Sequence, residues 1–167
     1  MPSQIIIFKR KFFGRIRDSI DLMTNDDLAL KVAQHLQANE GTNKVWGIEI
    51  EAVRVGYARL SMVIRPDMTN GYGNIHGGMI FALADTAFAY ACNSENLKTV
   101  GQAASIVYLS PARQGEVLIA EASMTAQAGR SGVASVQIKS QSDNRSIAHF
   151  QGQSRSIGGC VLEAPTN

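Results

Sequence analysis

The chain has 167 residues, of which 45% are hydrophobic and 18% charged, a composition that fits one globular domain with its own core. Its formal net charge is +2, but residues 1–23 hold five basic side chains against two acidic ones; removing this +3 leaves −1 for the rest. A body so close to neutral gives no support for a nucleic-acid-binding surface.

The cysteines and the apolar runs exclude further classes. Cys92 and Cys160 form no CxxC pair and have no histidine at ligand spacing, so we expect neither a disulfide framework nor a metal site. No apolar run reaches the roughly 20 residues of a membrane span. The run "IIIF" is too short for a signal sequence, because "KRKFFGRIR" comes directly after it. We therefore expect a cytoplasmic protein that does not bind membranes.

Residues 1–23 differ in composition from the rest of the chain, and we interpret them as an N-terminal extension. One interpretation is a basic amphipathic segment that contacts a membrane or a partner. We favour a disordered or untranslated extension, with Met23 as the true start, because "TNDDLALKVAQHL" has the features of a helix beginning. Thr24 and Asp27 form a capping-box pattern before the apolar stripe of Leu28, Val32 and Leu36. We predict a domain over residues 24–160 and a tail over 161–167.

The hydrophobic period then changes to two, which predicts a hairpin. In "VWGIEIEAVRV", Trp46, Ile48, Ile50 and Ala52 alternate with glutamates, and in "YARLSMVIR" Ala58, Leu60, Met62 and Ile64 alternate with polar residues. Gly56 lies between the two strands, and the loop "PDMTNGYGN" comes after them.

The next segment, "HGGMIFALADTAFAYAC" over residues 76–92, lacks strand alternation and is rich in alanine. Both features predict a helix. Four strand-like segments come next: "QAASIVYLS", "GEVLIAEASMTAQ", "GVASVQIKSQ" and "SIAHFQGQSRSIGG". The turns "AGRSG" and "SDNR" are too short for crossover helices, so these strands should be antiparallel.

This order of elements predicts an α+β hotdog fold, in which about six antiparallel strands wrap around a long central helix. A helix that is apolar on almost every face must be enclosed, and six strands can curl around one. An open sheet with the helix on one side is the alternative. A sheet that wraps only half of the helix also leaves an edge and an apolar rim, which a second copy of the chain could cover.

Asp85 is the one acidic residue in the apolar helix, and its neighbours three and four residues away cannot pair with it: Phe81, Ala82, Phe88 and Ala89. It lies too far along the helix to interact with the N-terminal dipole. An ion pair with a distant arginine remains open. We favour a catalytic role, because unpaired acids in apolar surroundings are typical of catalytic sites.

The start of the helix, "NIHGG", suggests a site for a developing negative charge. Free N–H groups at a helix start bind anions, and glycines let a ligand approach the backbone closely. This composition suits an oxyanion hole, although a helix-starting glycine pair can also be a simple tight turn. For His76, two interpretations stay open: it shapes the loop by hydrogen bonding, or it replaces a conventional N-cap.

The spacing of Gly77 and Asp85 predicts a dimer. Eight residues of helix separate them by roughly 12 Å, whereas a nucleophile and an oxyanion donor must both lie about 3 Å from one carbonyl. Antiparallel helices from two subunits can meet this requirement.

Other catalytic patterns fail: "GRSGV" is one residue short of a nucleophile elbow, and HExxH, P-loop and GxGxxG motifs are absent.

At these residues the sequence resembles the hotdog-fold thioesterases of phenylacetic acid degradation. The segment "NGYGNIHGGMIFALADTAFAYACNS" is similar to their signature nearly throughout, and "VYLSPARQGE" and "RSIGG" extend the likeness over about residues 25–159. The resemblance implies hydrolysis of aryl- or acyl-CoA thioesters to free acid and CoA, and among these we expect substrates of the phenylacetyl or hydroxyphenylacetyl type. It also implies no metal or cofactor, since CoA is part of the substrate, and a homotetramer built from dimers.

The resemblance further implies roles for individual residues. Asp85 matches the catalytic acid, acting as general base or nucleophile, and Gly77 matches the residue whose N–H polarises the thioester carbonyl. His76 and Asn70 match supporting polar positions, with Asn70 holding the loop or a water molecule. Two alternatives remain: a hotdog hydratase or dehydratase, and a non-catalytic acyl-CoA-binding protein. The acyl group itself does not follow from the resemblance.

Overall fold

The computed structural model describes residues 23–163, so the predicted extension lies almost wholly outside the described residues, as does the end of the predicted tail. Helices α1 (Asn25–Asn39) and α2 (Gly41–Trp46) come first and are followed by strands β1 (Ile48–Arg54) and β2 (Tyr57–Val63). After one turn of 3₁₀-helix (Pro66–Met68) come α3 (Gly77–Asn93), β3 (Leu97–Tyr108), β4 (Val117–Ala128), β5 (Ser131–Ser140) and β6 (Ser146–Cys160).

The six strands form one antiparallel sheet in the order β1-β2-β4-β5-β6-β3, and α3 packs against it. The predicted α+β hotdog fold is confirmed, including the hairpin, the apolar helix and the four later strands. β1 and β3 are the two edge strands of this sheet. The predicted strand corresponding to β3 was too short, since it began at Gln102 and the strand begins at Leu97.

The capping box of α1 is present as predicted. The Asp27 N–H donates to the Thr24 hydroxyl at 3.1 Å, and the Thr24 N–H donates to the Asp27 carboxylate at 2.8 Å. Of the predicted stripe, Val32 is buried as expected, whereas Leu28 and Leu36 are half-buried; the buried residues beside Val32 are Ala29 and Ala33. The small alanines let α1 pack closely against its neighbours.

Two local predictions were wrong. The predicted first strand included Trp46, but that residue ends α2, and Gly47 terminates the helix in the left-handed conformation at φ 65°. In β1 the register shifts between Ile50 and Ala52, so that Val53 enters the core in place of Ala52. A bulge reverses the alternation of the residues after it, which no period-two pattern anticipates.

The predicted burial of the other strands is confirmed where no bulge intervenes. Every predicted inward residue of β2, together with Ile64 just after it, is at most 1% exposed, and those of β5 are fully buried. In β4 the pattern holds up to Ala122. A register shift between Met124 and Ala126 then leaves Ala126 exposed.

α3 buries most of its circumference but leaves one stripe uncovered in the single chain. The buried set includes Leu83, Ala84, Ala87, Phe88 and Ala91. The uncovered stripe is exposed or half-buried and comprises Gly78, Phe81, Ala82, Asp85, Ala89 and Cys92. The expectation that nearly every face is enclosed therefore fails along this stripe, which is apolar apart from one acid.

Among residues 23–163, no helix is both long and apolar enough to cross a membrane.

The packing of Phe88 on β6 yields a stability prediction. A Cβ atom at Gly152 would lie 2.8–2.9 Å from three ring atoms of Phe88, a side chain that is 1% exposed. We expect Gly152→Ala to lower the free energy of unfolding by about 1–3 kcal/mol, because the buried ring has to move. Urea denaturation measures the change.

Gly41→Ala is the matched control. A Cβ atom at Gly41 meets nothing within 4 Å, and the residue begins α2, so this variant should be as stable as the parent or slightly more so. Equal stability of the two alanine variants would contradict the tight contact between Phe88 and β6.

Candidate active site

His76 fixes the junction between the preceding loop and α3. Its Nδ1 accepts a hydrogen bond from the Gly78 N–H at 2.9 Å, which makes the imidazole the N-cap of the helix. Its own N–H donates to the Met68 carbonyl at 2.8 Å, and its carbonyl accepts from the Met79 N–H at 2.9 Å. His76 therefore does both things considered above: it replaces a conventional N-cap, and the same hydrogen bond shapes the turn.

Gly77 is left with a free donor by this arrangement. The N–H groups of His76, Gly78 and Met79 each have an acceptor. In the described part of the chain, the Gly77 N–H has no hydrogen-bond partner. An unpaired N–H at the positive end of a helix dipole is well suited to bind a carbonyl oxygen or an anion.

Tyr108, on edge strand β3, contacts the same turn and was not singled out from the sequence. Its hydroxyl donates to the Gly77 carbonyl at 3.0 Å. A Cβ atom at position 77 would lie 3.0 Å from ring atom Cζ and 3.1 Å from the hydroxyl oxygen, so any other residue here would require the Tyr108 side chain to shift by a few tenths of an ångström.

Asn70 organises the loop before the helix. Its Oδ1 accepts from the N–H groups of Tyr72 at 2.9 Å and Asn74 at 3.3 Å, and its own N–H donates to the Asn74 carbonyl at 2.7 Å. These bonds close a tight turn. The role in holding a water molecule stays a prediction.

Asp85 lies on the uncovered stripe of α3, and its side chain is exposed in the single chain. This corrects the assumption that the acid is enclosed. Among residues 23–163 it makes no hydrogen bond and no ion pair, so the distant-arginine interpretation finds no support there. The pKa of Asp85 is raised, first by partial desolvation of the carboxyl group and second by the negative charge of Glu40.

Glu40 is a second carboxylate near the site, held by two other side chains. Its Oε2 accepts from the Tyr90 hydroxyl at 2.9 Å and from the side-chain amide of Asn43. Tyr90 and Asn43 are 1% and 2% exposed. Burial and the neighbouring Glu40 raise the pKa of Tyr90, so the phenol stays a donor. No sequence pattern indicated Glu40, because it lies between two helices far from residue 85.

An open groove of about 710 Å³ begins one helical turn beyond Asp85. α3 contributes Ala89 and Asn93 to it, and α1 contributes residues that include Leu36 and Asn39, with Glu40 just after them. Its other walls come from β3, β6 and the residues just after β6: Lys98, Thr99, Val100, Ile157, Val161 and Glu163. The groove is thus a cleft of mixed apolar and polar character next to an unpaired acid.

The structure does not bring all candidate residues together in one chain. His76, Gly77 and Asn70 lie at the start of α3 or just before it, whereas Asp85 is eight residues along the same helix, roughly 12 Å away at 1.5 Å per residue. Within the part of the chain that the structure describes, no cluster of three or more His, Cys, Asp or Glu side chains could hold a metal ion.

Comparison with known proteins identifies the family. The model of the thioesterase superfamily matches residues 72–147, which include the helix start and Asp85. The acyl-coenzyme A thioesterase PaaI of Escherichia coli is 39% identical over 129 residues, which cover 77% of this chain and 91% of that protein. The chain belongs to the hotdog thioesterase superfamily. The resemblance to the thioesterases of phenylacetic acid degradation is thereby confirmed.

Solved structures of this superfamily agree. The E. coli PaaI protein from the phenylacetic acid degradation operon superposes with a TM-score of 0.80 at 37% identity, covering 82% of this chain and 99% of that chain. A hypothetical thioesterase of Streptococcus pneumoniae, solved with coenzyme A, gives a TM-score of 0.65 at 27% identity over 68% of this chain and 88% of that chain.

The influence of Glu40 on Asp85 can be measured directly. Glu40→Gln keeps an acceptor for Tyr90 and Asn43 but removes the negative charge that disfavours ionisation of Asp85. We therefore expect the pKa of Asp85 to fall in this variant. Carbon-13 NMR titration of aspartate labelled at the carboxyl carbon measures it.

Glu163→Gln is the control, since Glu163 lines the same groove but does not perturb Asp85. That variant should leave the Asp85 titration unchanged. An Asp85 titration that is the same in Glu40→Gln and in the parent would show that the two carboxylates do not interact.

Proposed function

We propose that this protein hydrolyses acyl-CoA thioesters to a free acid and CoA. The observation that carries the proposal is the unpaired Gly77 N–H at the start of the helix that also bears the unpaired Asp85. The E. coli relative is named an acyl-coenzyme A thioesterase, and the S. pneumoniae protein was solved with coenzyme A. An acyl-CoA substrate fits a site that combines an N–H donor for the carbonyl oxygen with a base.

The mechanism divides the work between these two groups. The Gly77 N–H binds the thioester oxygen and stabilises the negative charge that develops on it. As a general base, Asp85 takes a proton from water, whose oxygen attacks the carbonyl carbon; the C–S bond then breaks and the CoA sulfur leaves as the thiol after gaining a proton. As a nucleophile, the Asp85 carboxylate attacks the carbonyl carbon and the C–S bond breaks, so that CoA leaves as a thiolate, which takes a proton from solvent. Water then hydrolyses the acyl anhydride, which releases the free acid and restores the carboxylate.

A raised pKa suits Asp85 for either role, provided that it ionises at the working pH. A carboxylate with a higher pKa binds a proton more strongly and is therefore a stronger base. The positive end of a partner's helix dipole would offset part of the desolvation that raises its pKa. No metal or cofactor is required in this proposal, because polarisation and one carboxylate activate a thioester sufficiently.

The groove beside Asp85 is the proposed site for the acyl group. With the carbonyl held near Asp85, an acyl chain that extends along α3 passes Ala89 and enters the groove. Its volume is ample for a phenylacetyl or hydroxyphenylacetyl group, which is the acyl type we propose. The origin of the E. coli protein in the phenylacetic acid degradation operon supports this choice.

The active site is proposed to be shared between two chains. Gly77 and Asp85 of one chain cannot reach one carbonyl, so the acid must face the helix start of a second copy. Two surfaces are available for this contact: the uncovered apolar stripe of α3, and edge strand β3, whose exposed side chains include Leu97, Val100 and Val107. Pairing there would cover both. A homotetramer of two such dimers completes the proposal.

The role of Asp85 is tested by substitution. Asp85→Asn keeps the shape and removes the base, so thiol release from phenylacetyl-CoA should fall at least about 100-fold. Because asparagine has the same shape and an amide is less costly to bury than an ionised carboxylate, the melting temperature should not fall below that of the parent. Absorbance of a thiol reagent follows the reaction, and Glu95→Gln, an exposed acid just beyond α3, is the control.

Near-normal turnover by Asp85→Asn would remove this residue from the mechanism. The same assay separates the alternatives. A hydratase would change the absorbance of an enoyl-CoA without releasing thiol, and a binding protein would release none from any acyl-CoA.

Sharing of the site is tested by complementation. Asp85→Asn removes the acid and Gly77→Pro removes the N–H donor; the backbone of His76, at φ −68° and ψ 134°, is compatible with a following proline. In a mixed dimer, one site carries both defects and the other carries none. Random pairing should therefore restore roughly a quarter of the parent activity when the two inactive proteins are refolded together.

If one chain supplied both groups, every site of a mixed dimer would carry one defect and mixing would restore nothing. Mixed dimers that are verified by differential tagging and remain inactive would overturn the shared site.

A further inference from the structure

The peptide unit between Gly77 and Gly78 is held at both ends by side chains. The Tyr108 hydroxyl donates to its carbonyl at 3.0 Å, and its N–H donates to the His76 Nδ1 at 2.9 Å. One anchor comes from the residue that precedes the helix. The other comes from β3, an edge strand 31 residues away in the sequence. The helix start is thereby fixed to the sheet.

These anchors explain both glycines of the turn. A Cβ atom at Gly77 would lie 3.0 Å from the Tyr108 ring, and one at Gly78 would lie 3.1 Å from the His76 Nδ1. Each glycine therefore makes room for one anchor. A glycine pair without such bonds would be conformationally permissive, and the direction of its N–H groups would be poorly defined.

The direction of the Gly77 N–H matters because a donor has to point at the position of the oxyanion. Catalytic stabilisation requires a donor 2.7–3.1 Å from that oxygen, and small displacements of reacting groups have large effects on rate. The carbonyl of the preceding peptide, that of His76, already accepts from the Met79 N–H at 2.9 Å. With the next peptide fixed by Tyr108 and His76, rotation about both backbone bonds of Gly77 is restricted.

We propose that Tyr108 is a positioning residue, whose hydroxyl holds the Gly77 peptide so that the Gly77 N–H points at the thioester carbonyl. This inference rests on the proposed function, since it assigns a partner to the donor named there. Tyr108 itself need not touch the substrate. In the single chain Tyr108 is 49% exposed, so burial within the chain does not by itself force its contact with the helix start.

The first test is Tyr108→Phe, which removes the hydroxyl and keeps the ring. We expect kcat for phenylacetyl-CoA to fall about tenfold and KM to change less than about twofold. A misaligned Gly77 N–H stabilises the negative charge of the transition state less well, whereas binding of the uncharged thioester depends on it little. Tyr57→Phe is the matched control. It removes a hydroxyl on β2 that donates to the Glu121 carboxylate on β4 at 3.1 Å. Its kcat should equal that of the parent, and both variants should keep the parent melting temperature.

The second test observes the carbonyl directly. In the slow Asp85→Asn background, phenylacetyl-CoA labelled with carbon-13 at the thioester carbonyl is bound at saturating concentration, and its C=O stretch is recorded by infrared difference spectroscopy. We expect a shift to lower frequency on binding, and a smaller shift when Tyr108→Phe is added. A purely structural role of Tyr108 would not change this frequency.

The outcomes separate the two proposals. A shift that is present and unaffected by Tyr108→Phe, together with an unchanged kcat, would overturn the role of Tyr108 and leave the proposed function intact. A bound carbonyl with no shift in the Asp85→Asn protein would contradict polarisation by Gly77, and the inference about Tyr108 would fail with it.

Discussion

The continuity of α3 is the constraint on which the site depends. Because the helix runs without a break from Gly77 to Asn93, its free N–H and its acid are kept roughly 12 Å apart. No side-chain movement closes that distance within a chain. A second copy of the chain would supply the missing group by placing its own helix start beside Asp85. Such pairing also accounts for the uncovered stripe of α3, which bears Asp85, and for the exposed edge strand β3.

The electrostatics of the site depend on two interactions of unequal strength. Partial desolvation raises the pKa of Asp85 first, and the nearby Glu40 adds to the effect. Glu40 is itself held by Tyr90, five residues beyond Asp85 on the same helix, and by Asn43. The second carboxylate is thus tied to the helix that carries the first, which keeps the relation between the two charges constant.

The sequence predicted those features that depend only on a short, continuous segment of the chain. The hairpin, α3, the lone Asp85 and the glycine pair after His76 could be recognised because helix and strand periods are local. The short α2 and the bulge in β1 could not be predicted, since each depends on the backbone of one residue. Neither could the exposed position of Asp85, because a helix that is apolar all round gives no indication of which stripe faces outward.

The long-range partners were also beyond the reach of the sequence. Tyr108 lies in a strand whose pattern indicated only a strand, and Glu40 lies at the end of α1. Both reach the site through the tertiary fold, by hydrogen bonds that join residues 31 and 50 positions apart. A pattern within one window of sequence contains no information on such pairs.

The uncovered stripe of α3 also limits how the sequence of this segment can change during evolution. Each residue of a helix turns the chain by about 100°. A single inserted or deleted residue between Gly77 and Asp85 would therefore rotate the acid away from the stripe and toward the buried side of the helix, where an ionised carboxylate is costly. The length of this segment is therefore fixed by the position of the stripe, independently of which side chains occupy it.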